Sequence, residues 1–234
     1  MIPLAVPNLS GREAEYLQEC VSTNFVSTVG PFVQTFESMA AELMGFPHVV
    51  ATNTGTSALH VGMKVLGVQP DDLVVLPSYT FVATANAVRM CGAEPWLFDV
   101  DEESWGLDPD LLEAEFTRVT EWRDGSLWHK GLGRRIAAVV PVCAAGQPPK
   151  LKEIRDVTSA AGLPLLVDAA GAAGSVYREQ SLGAAAEYAV LSFNGNKTFT
   201  AGGGGAFLTC DEAVATQVRH LSTTARTAEN YSHD

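Results

Sequence analysis

Seven short apolar runs, at 48–51, 73–76, 95–98, 136–141, 163–167, 188–193 and 205–208, alternate along the chain with stretches of helical periodicity. Runs of this length, bounded by turn residues, read as buried strands. The intervening segments 57–66, 81–90, 109–119, 151–161 and 212–221 read as helices, and two more, 11–21 and 32–44, precede the first strand. Strict alternation predicts an α/β fold: three layers, with a mostly parallel seven-stranded sheet flanked by helices. Ligands of such sheets bind beyond the carboxyl ends of the strands, so the residues that follow each run matter most. No repeat or low-complexity linker divides the 234 residues, which suffice for one large domain. The polar stretch 121–135, with two tryptophans, reads as a surface loop or insertion, and 222–234 as a polar tail without a second folded domain.

Charge narrows the partners. Lys plus Arg number 15 and Asp plus Glu 27, a net charge of −12. That field repels phosphate backbones and anionic lipid, so neither nucleic acid nor a membrane surface is an expected partner. No apolar run approaches the roughly 20 residues that span a bilayer, and residues 1–8 lack a signal-peptide pattern. The four cysteines (Cys20, Cys91, Cys143, Cys210) show no CxxC spacing, which suits reduced thiols in a cytoplasm better than a disulfide framework or a zinc site.

Three segments carry chemistry. Asn53-Thr54-Gly55-Thr56-Ser57 follows a strand and opens a helix. Unpaired amides at a helix start, a glycine and nearby hydroxyls suit a phosphate, although Thr and Ser are also ordinary N-caps. Leu165-Leu166-Val167-Asp168-Ala169-Ala170-Gly171 puts an acid at the end of a buried strand, before small residues that admit a flat ligand. Such a carboxylate needs a cationic or hydrogen-bonding partner; capping a following helix is the plainer alternative. In Ser192-Phe193-Asn194-Gly195-Asn196-Lys197 a lysine leaves an apolar strand just before the run Gly202 to Gly205. A cleft position lets a lysine lose its proton and act as an amine nucleophile.

Together these segments resemble the DegT/DnrJ/EryC1/StrS sugar aminotransferases, within fold type I of the pyridoxal-phosphate (PLP) enzymes. The resemblance extends over the whole chain and includes Pro7-Asn8-Leu9-Ser10, Val26-Ser27-Thr28-Val29-Gly30 and Pro77-Ser78-Tyr79-Thr80-Phe81-Val82-Ala83-Thr84. The wording around Lys197 is most like the branch that makes 4-amino sugars of the legionaminic or bacillosamine kind. The resemblance implies that Lys197 holds pyridoxal 5'-phosphate as a Schiff base and shuttles the catalytic proton. It implies that Asp168 pairs with the pyridinium nitrogen and that Phe81 stacks on the ring. The phosphate would lie at Gly55, Thr56 and Ser57 with the Ser192 hydroxyl, and Asn194 would stand beside the cofactor. Residues 1–234 would form the PLP-binding large domain with an N-terminal helical segment, and the family's smaller C-terminal domain would be missing.

The implied activity is amino transfer from glutamate to a nucleotide-linked 4-keto-6-deoxy sugar, in bacterial surface-polysaccharide or amino-sugar biosynthesis. The implied assembly is a homodimer with shared active sites. Two positions depart from the family pattern: Gly171 stands where Gln or Glu is usual, and Ala173 where His is frequent. Alternatives are a PLP-binding degenerate or regulatory domain without turnover and a PLP-dependent sugar dehydratase, which carries histidine in place of Lys197. A dinucleotide fold is disfavoured because no GxGxxG follows the first strand.

Overall fold

A computed structural model describes residues 2, 3 and 5–225. Two helices, α1 (Glu13–Thr23) and α2 (Pro31–Met44), lead into β1 (His48–Thr52) and α3 (Gly55–Val65). β2 (Leu73–Pro77), α4 (Val82–Met90), β3 (Glu94–Phe98) and α5 (Pro109–Val119) follow, then the hairpin strands β4 (Thr120–Arg123) and β5 (Ser126–His129). β6 (Arg134–Val139), α6 (Leu151–Ala160) and β7 (Leu166–Asp168) precede a small ribbon, β8 (Val176–Tyr177) and β9 (Gln180–Ser181), and the short α7 (Leu182–Ala185). β10 (Tyr188–Ser192), β11 (Gly205–Thr209) and α8 (Glu212–Ser222) complete the described chain.

Helix starts follow the sequence closely. Thr54, Asp108 and Asp211 cap α3, α5 and α8 through side-chain oxygens that accept first-turn amides, and Pro31 and Pro109 stand in first turns where no amide partner is lost.

β1, β11, β10 and β7 are hydrogen-bonded in that order, and β3, β2 and β6 in theirs. Bridges from Val139 to Leu165 and from Val142 to Asp168 join the two sets between β6 and β7. The result is the expected seven-stranded sheet, in which only β11 runs antiparallel to its neighbours β1 and β10. Alternation along the strands divides the core. Val50, Val74, Leu76, Val190 and Phe207 face α3, α4 and α8. Val49, Ala189, Leu191, Ala206 and Leu208 face α2 and α7, while Leu73, Val75 and Ile136 face α5 and α6. Phe207 is wholly buried and lies so close to α3 that a Cβ on Gly62 would come within 2.5 Å of its ring. Truncating such a phenylalanine to alanine costs about 3–5 kcal/mol.

The stretch 121–135 is not a loop. It contains the β4–β5 hairpin and the start of β6, turning at Asp124 and Gly125, both with positive φ. Trp122 holds it to the body by packing over Gly162, while Trp128 braces the hairpin itself, donating Nε1–H to the Arg123 carbonyl under the Arg123 guanidinium, 3.8 Å away. The Asp-Gly pair between alternating residues is the signal of a tight hairpin turn. Among the described residues no helix is long and apolar enough to cross a membrane.

Candidate active site

The carboxyl ends of β1, β7 and β10 bring the three segments together. α3 begins directly after β1. Thr54 Oγ1 accepts the Ser57 amide at 3.0 Å and lies 2.9 Å from the Ser57 hydroxyl. Capping accounts for Thr54, which takes the Ser57 amide, while the amides of Gly55 and Thr56 have no acceptor within the helix. Two glycines let this helix start lie against the sheet. A Cβ on Gly55 would stand 2.9 Å from Ser192 Cβ, and one on Gly205 would stand 2.4 Å from Gly55 N. The Ser192 hydroxyl is thereby held beside the α3 start and its positive helix end, an arrangement that suits an anion. Ser57 also lines a cavity of about 780 Å³ with His60, Lys64 and Arg219.

Asp168 ends β7 and is 5% exposed. Its amide donates to the Pro141 carbonyl and its own carbonyl accepts the Cys143 amide, each at 2.9 Å, so its backbone is locked against the end of β6. One carboxylate oxygen accepts the Thr84 hydroxyl at 2.7 Å and the other accepts the Ala170 amide at 3.1 Å. No helix follows; the chain turns through 169–174, so Asp168 is not a helix cap. Burial pushes its carboxyl above the usual range, and Thr84, Ala170 and the charge of Lys197 offset this only in part. The buried Cys143 thiol is pushed far up by burial and by the neighbouring Asp168 charge, which makes it inert.

Lys197 emerges from a turn closed by its own amide on the Asn194 carbonyl at 3.0 Å, which gives Asn194 a structural part in shaping the lysine loop. Phe193 anchors the base of that loop. Its amide donates to Gly204, its carbonyl accepts Ala201 N–H and the Thr200 hydroxyl, and its ring meets Phe36 edge-on at 5.0 Å. Across the cleft, Phe81 stands at the N-terminus of α4, where the sequence placed it inside the helix; its ring is 74% exposed. The half-buried Lys197 holds its Nζ 6.0 Å from the centre of the Phe81 ring.

Gly171, at one of the two departures from the family pattern, has room for a side chain. A Cβ there would meet nothing nearer than Gly146 N at 3.9 Å, and its carbonyl accepts the Thr198 hydroxyl at 3.3 Å. Thr84 is the site residue that sequence reasoning passed over. Its place one turn beyond Phe81 in α4 was the available signal.

Does this arrangement fit PLP? A buried carboxylate short of a cation fits a protonated ring nitrogen. An exposed aromatic face fits the ring, a nearby lysine fits the aldehyde, and the α3 start with Ser192 fits the phosphate. Fold and site thus define a lysine-bearing α/β protein built for a flat, anionic cofactor. The DegT/DnrJ/EryC1/StrS aminotransferase family model matches residues 7–234, and the chain belongs to that family. Its cofactor is pyridoxal 5'-phosphate.

Relatives agree with this. The chain is 37% identical over 220 residues to a GDP-perosamine synthase of Caulobacter vibrioides, covering 94% of this chain and 55% of that protein. Among solved structures, DesI in the presence of its TDP-sugar product superposes with a TM-score of 0.78 at 32% identity, over 90% of this chain and 49% of that one. NtdA of Bacillus subtilis with bound cofactor PMP gives 0.80 at 26% identity, over 100% of this chain and 51% of that one. The chain thus spans about half the length of these relatives.

Proposed function

We propose that the protein moves an amino group from glutamate to a nucleotide-linked 4-keto-6-deoxy sugar, for surface-polysaccharide or amino-sugar biosynthesis in the cytoplasm. The observation that carries this reading is the pairing of Asp168, buried at the end of β7 with no ion pair among the described residues, with Lys197 across the same cleft. Bound PLP supplies an electron sink for the pair released when a C–H bond of the amino donor breaks. Asp168 holds a proton on the ring nitrogen and so keeps that sink open. Lys197 holds the cofactor and then, as a free amine, moves a proton between the donor Cα and the cofactor's C4′. Phe81 covers one face of the ring. The amides of Gly55 and Thr56, with the hydroxyls of Ser57 and Ser192, hold the phosphate, and Asn194 shapes the turn that presents Lys197. The nucleotide link is supported by relatives whose names include GDP-perosamine synthase and a TDP-sugar product; the 4-keto position rests on the family resemblance around Lys197.

The proposed assembly is a homodimer that closes the open side of the cleft. α1 buries none of its residues, and Leu17, Val21, Tyr79, Phe81 and Val82 present apolar surface. Such faces invite a two-fold partner. Sedimentation of the full-length protein tests this; a monomer that still transaminates would refute the shared site. For the activity, the purified protein should be yellow, glutamate should bleach that colour to the pyridoxamine form, and a nucleotide 4-keto sugar should restore it. A protein that takes up no PLP sinks the reading.

A further inference from the structure

We propose that Thr84 is a positioning residue for Asp168, orienting its carboxylate and tying it to the backbone that carries Phe81. The inference rests on the reading of Asp168 as the partner of the ring nitrogen. Thr84 is wholly buried within α4. Its Oγ1 lies 2.7 Å from Asp168 Oδ2, 3.2 Å from the Phe81 carbonyl and 2.8 Å from Thr80 Oγ1. A threonine hydroxyl has one proton to give. With Asp168 ionised, the charged oxygen is the strongest acceptor in reach, so Thr84 donates to it and Thr80 donates to Thr84. The Ala170 amide holds the other carboxylate oxygen. The carboxylate is thus gripped from α4 on one side and from the turn after β7 on the other.

A purely local role is the competing account. A threonine inside a helix satisfies its hydroxyl on a carbonyl one turn back, and the Phe81 carbonyl is available for that. The bond to Asp168 is the shorter of the two and joins residues 84 apart in sequence. It ties Asp168 to α4, where the Thr84 amide donates to the Phe81 carbonyl at 3.1 Å, so the groups that would meet the ring at its nitrogen and at its face share one support. The other titratable groups facing Asp168 are Lys197, from the lysine loop, and the Cys143 thiol, just beyond β6. Burial already raises the Asp168 carboxyl, and the Thr84 bond works against that rise.

The test uses the full-length protein with Thr84→Val, which keeps the shape without the hydroxyl, and Thr84→Ser, which keeps the hydroxyl. PLP affinity of the resolved apoprotein should fall on the order of tenfold in Thr84→Val and return in Thr84→Ser. A second readout needs no cofactor. Without its donor, Asp168 holds its proton to higher pH. The thermal stability of Thr84→Val apoprotein should therefore drop further than the parent's as pH rises through the Asp168 titration, and Thr84→Ser should follow the parent. If Thr84→Val does not fold, Thr84→Ala carries the same comparison. Parent-like affinity with a parallel stability curve in the hydroxyl-free variant overturns the inference. So does a loss that serine fails to restore, since that marks a packing role. A parent protein that takes up no PLP overturns the reading of the site and this inference with it, whereas normal uptake beside an indifferent variant overturns this inference alone.

Discussion

Two aspartates closed off from solvent show how differently one chain can treat the same side chain. Asp101, in the loop between β3 and α5, accepts the amides of Glu103 and Ser104 at 3.1 Å, the Ser104 hydroxyl, and the Lys150 ammonium at 3.3 Å. Burial pushes its carboxyl up, but the Ser104 hydroxyl, the two amides and Lys150 outweigh it, so the acid sits below its ordinary range. Asp168 lies deeper, with one hydroxyl and one amide, and sits above it. The first site is complete in itself. The second is short of one positive charge, which is what a protonated ring nitrogen would add. A carboxylate left unbalanced in a core costs stability, and a fold tolerates that cost where a ligand offsets it.

The sharpest way to break this contrast is to remove Lys197, whose charge acts on Asp168. Lys197→Ala should abolish both the visible absorbance of the lysine-bound cofactor and transamination, with an unchanged far-ultraviolet circular dichroism spectrum. Borohydride reduction followed by peptide mapping checks the assignment in the parent; an adduct on another lysine would falsify it. Asp168→Asn comes next. It keeps the shape and removes the charge, and a contact worth a few kcal/mol corresponds to a loss of about a hundredfold or more in kcat. Near-parent turnover would mean that the missing charge at Asp168 has no chemical use.

Asp101→Asn should behave the other way, because its partners are all internal. A stability loss of about 1–3 kcal/mol is expected, read as a lower Tm, with the visible absorbance of the bound cofactor intact. Bleaching in this variant would erase the distinction between the two acids. The smallest effect is in the pH dependence of the apoprotein. Asp101, depressed in the fold, contributes stability that is present above its unfolded pKa of ~3.9 and is lost as pH falls through its folded value. Asp168, raised in the fold, has the opposite sign: the unfolded chain gives up its proton first, so stability declines as pH rises from that unfolded value to the folded one. Asp101→Asn should flatten the acid-side loss and Asp168→Asn the decline above it. Identical stability curves for the two variants would show that the sites do not differ electrostatically.

Much of this was legible in the sequence. The seven apolar runs are the seven strands of the main sheet, because buried parallel strands read as continuous apolar segments and short capped helices separate them. Asp168 and Lys197 were visible as charged residues leaving such strands. What was not legible depended on contacts between distant residues. Thr84 looks like an ordinary helical threonine until α4 packs against the end of β7. Thr54 shares the α3 start with its neighbours, and only three dimensions show which amides it leaves free. The hairpin at 121–135 was missed for a different reason. Its strands alternate polar and aromatic residues around Asp124-Gly125 at the sheet's rim, and polarity outweighed the turn signal.

The antiparallel strand β11 has a consequence for the order of assembly. β1, which leads into the phosphate-side helix α3, has β11 as its partner in the sheet, and β11 follows the lysine loop more than 150 residues later. On a ribosome the chain would present β1 and its apolar neighbours long before their partner emerges. Contacts of such sequence separation form slowly. The strand that docks β1 also closes the loop carrying Lys197, so the two halves of the cofactor cleft arrive in the same late event. A nascent chain that stops short of Gly205 would carry Asp168 and Lys197 yet lack the strand that brings them to the α3 helix start.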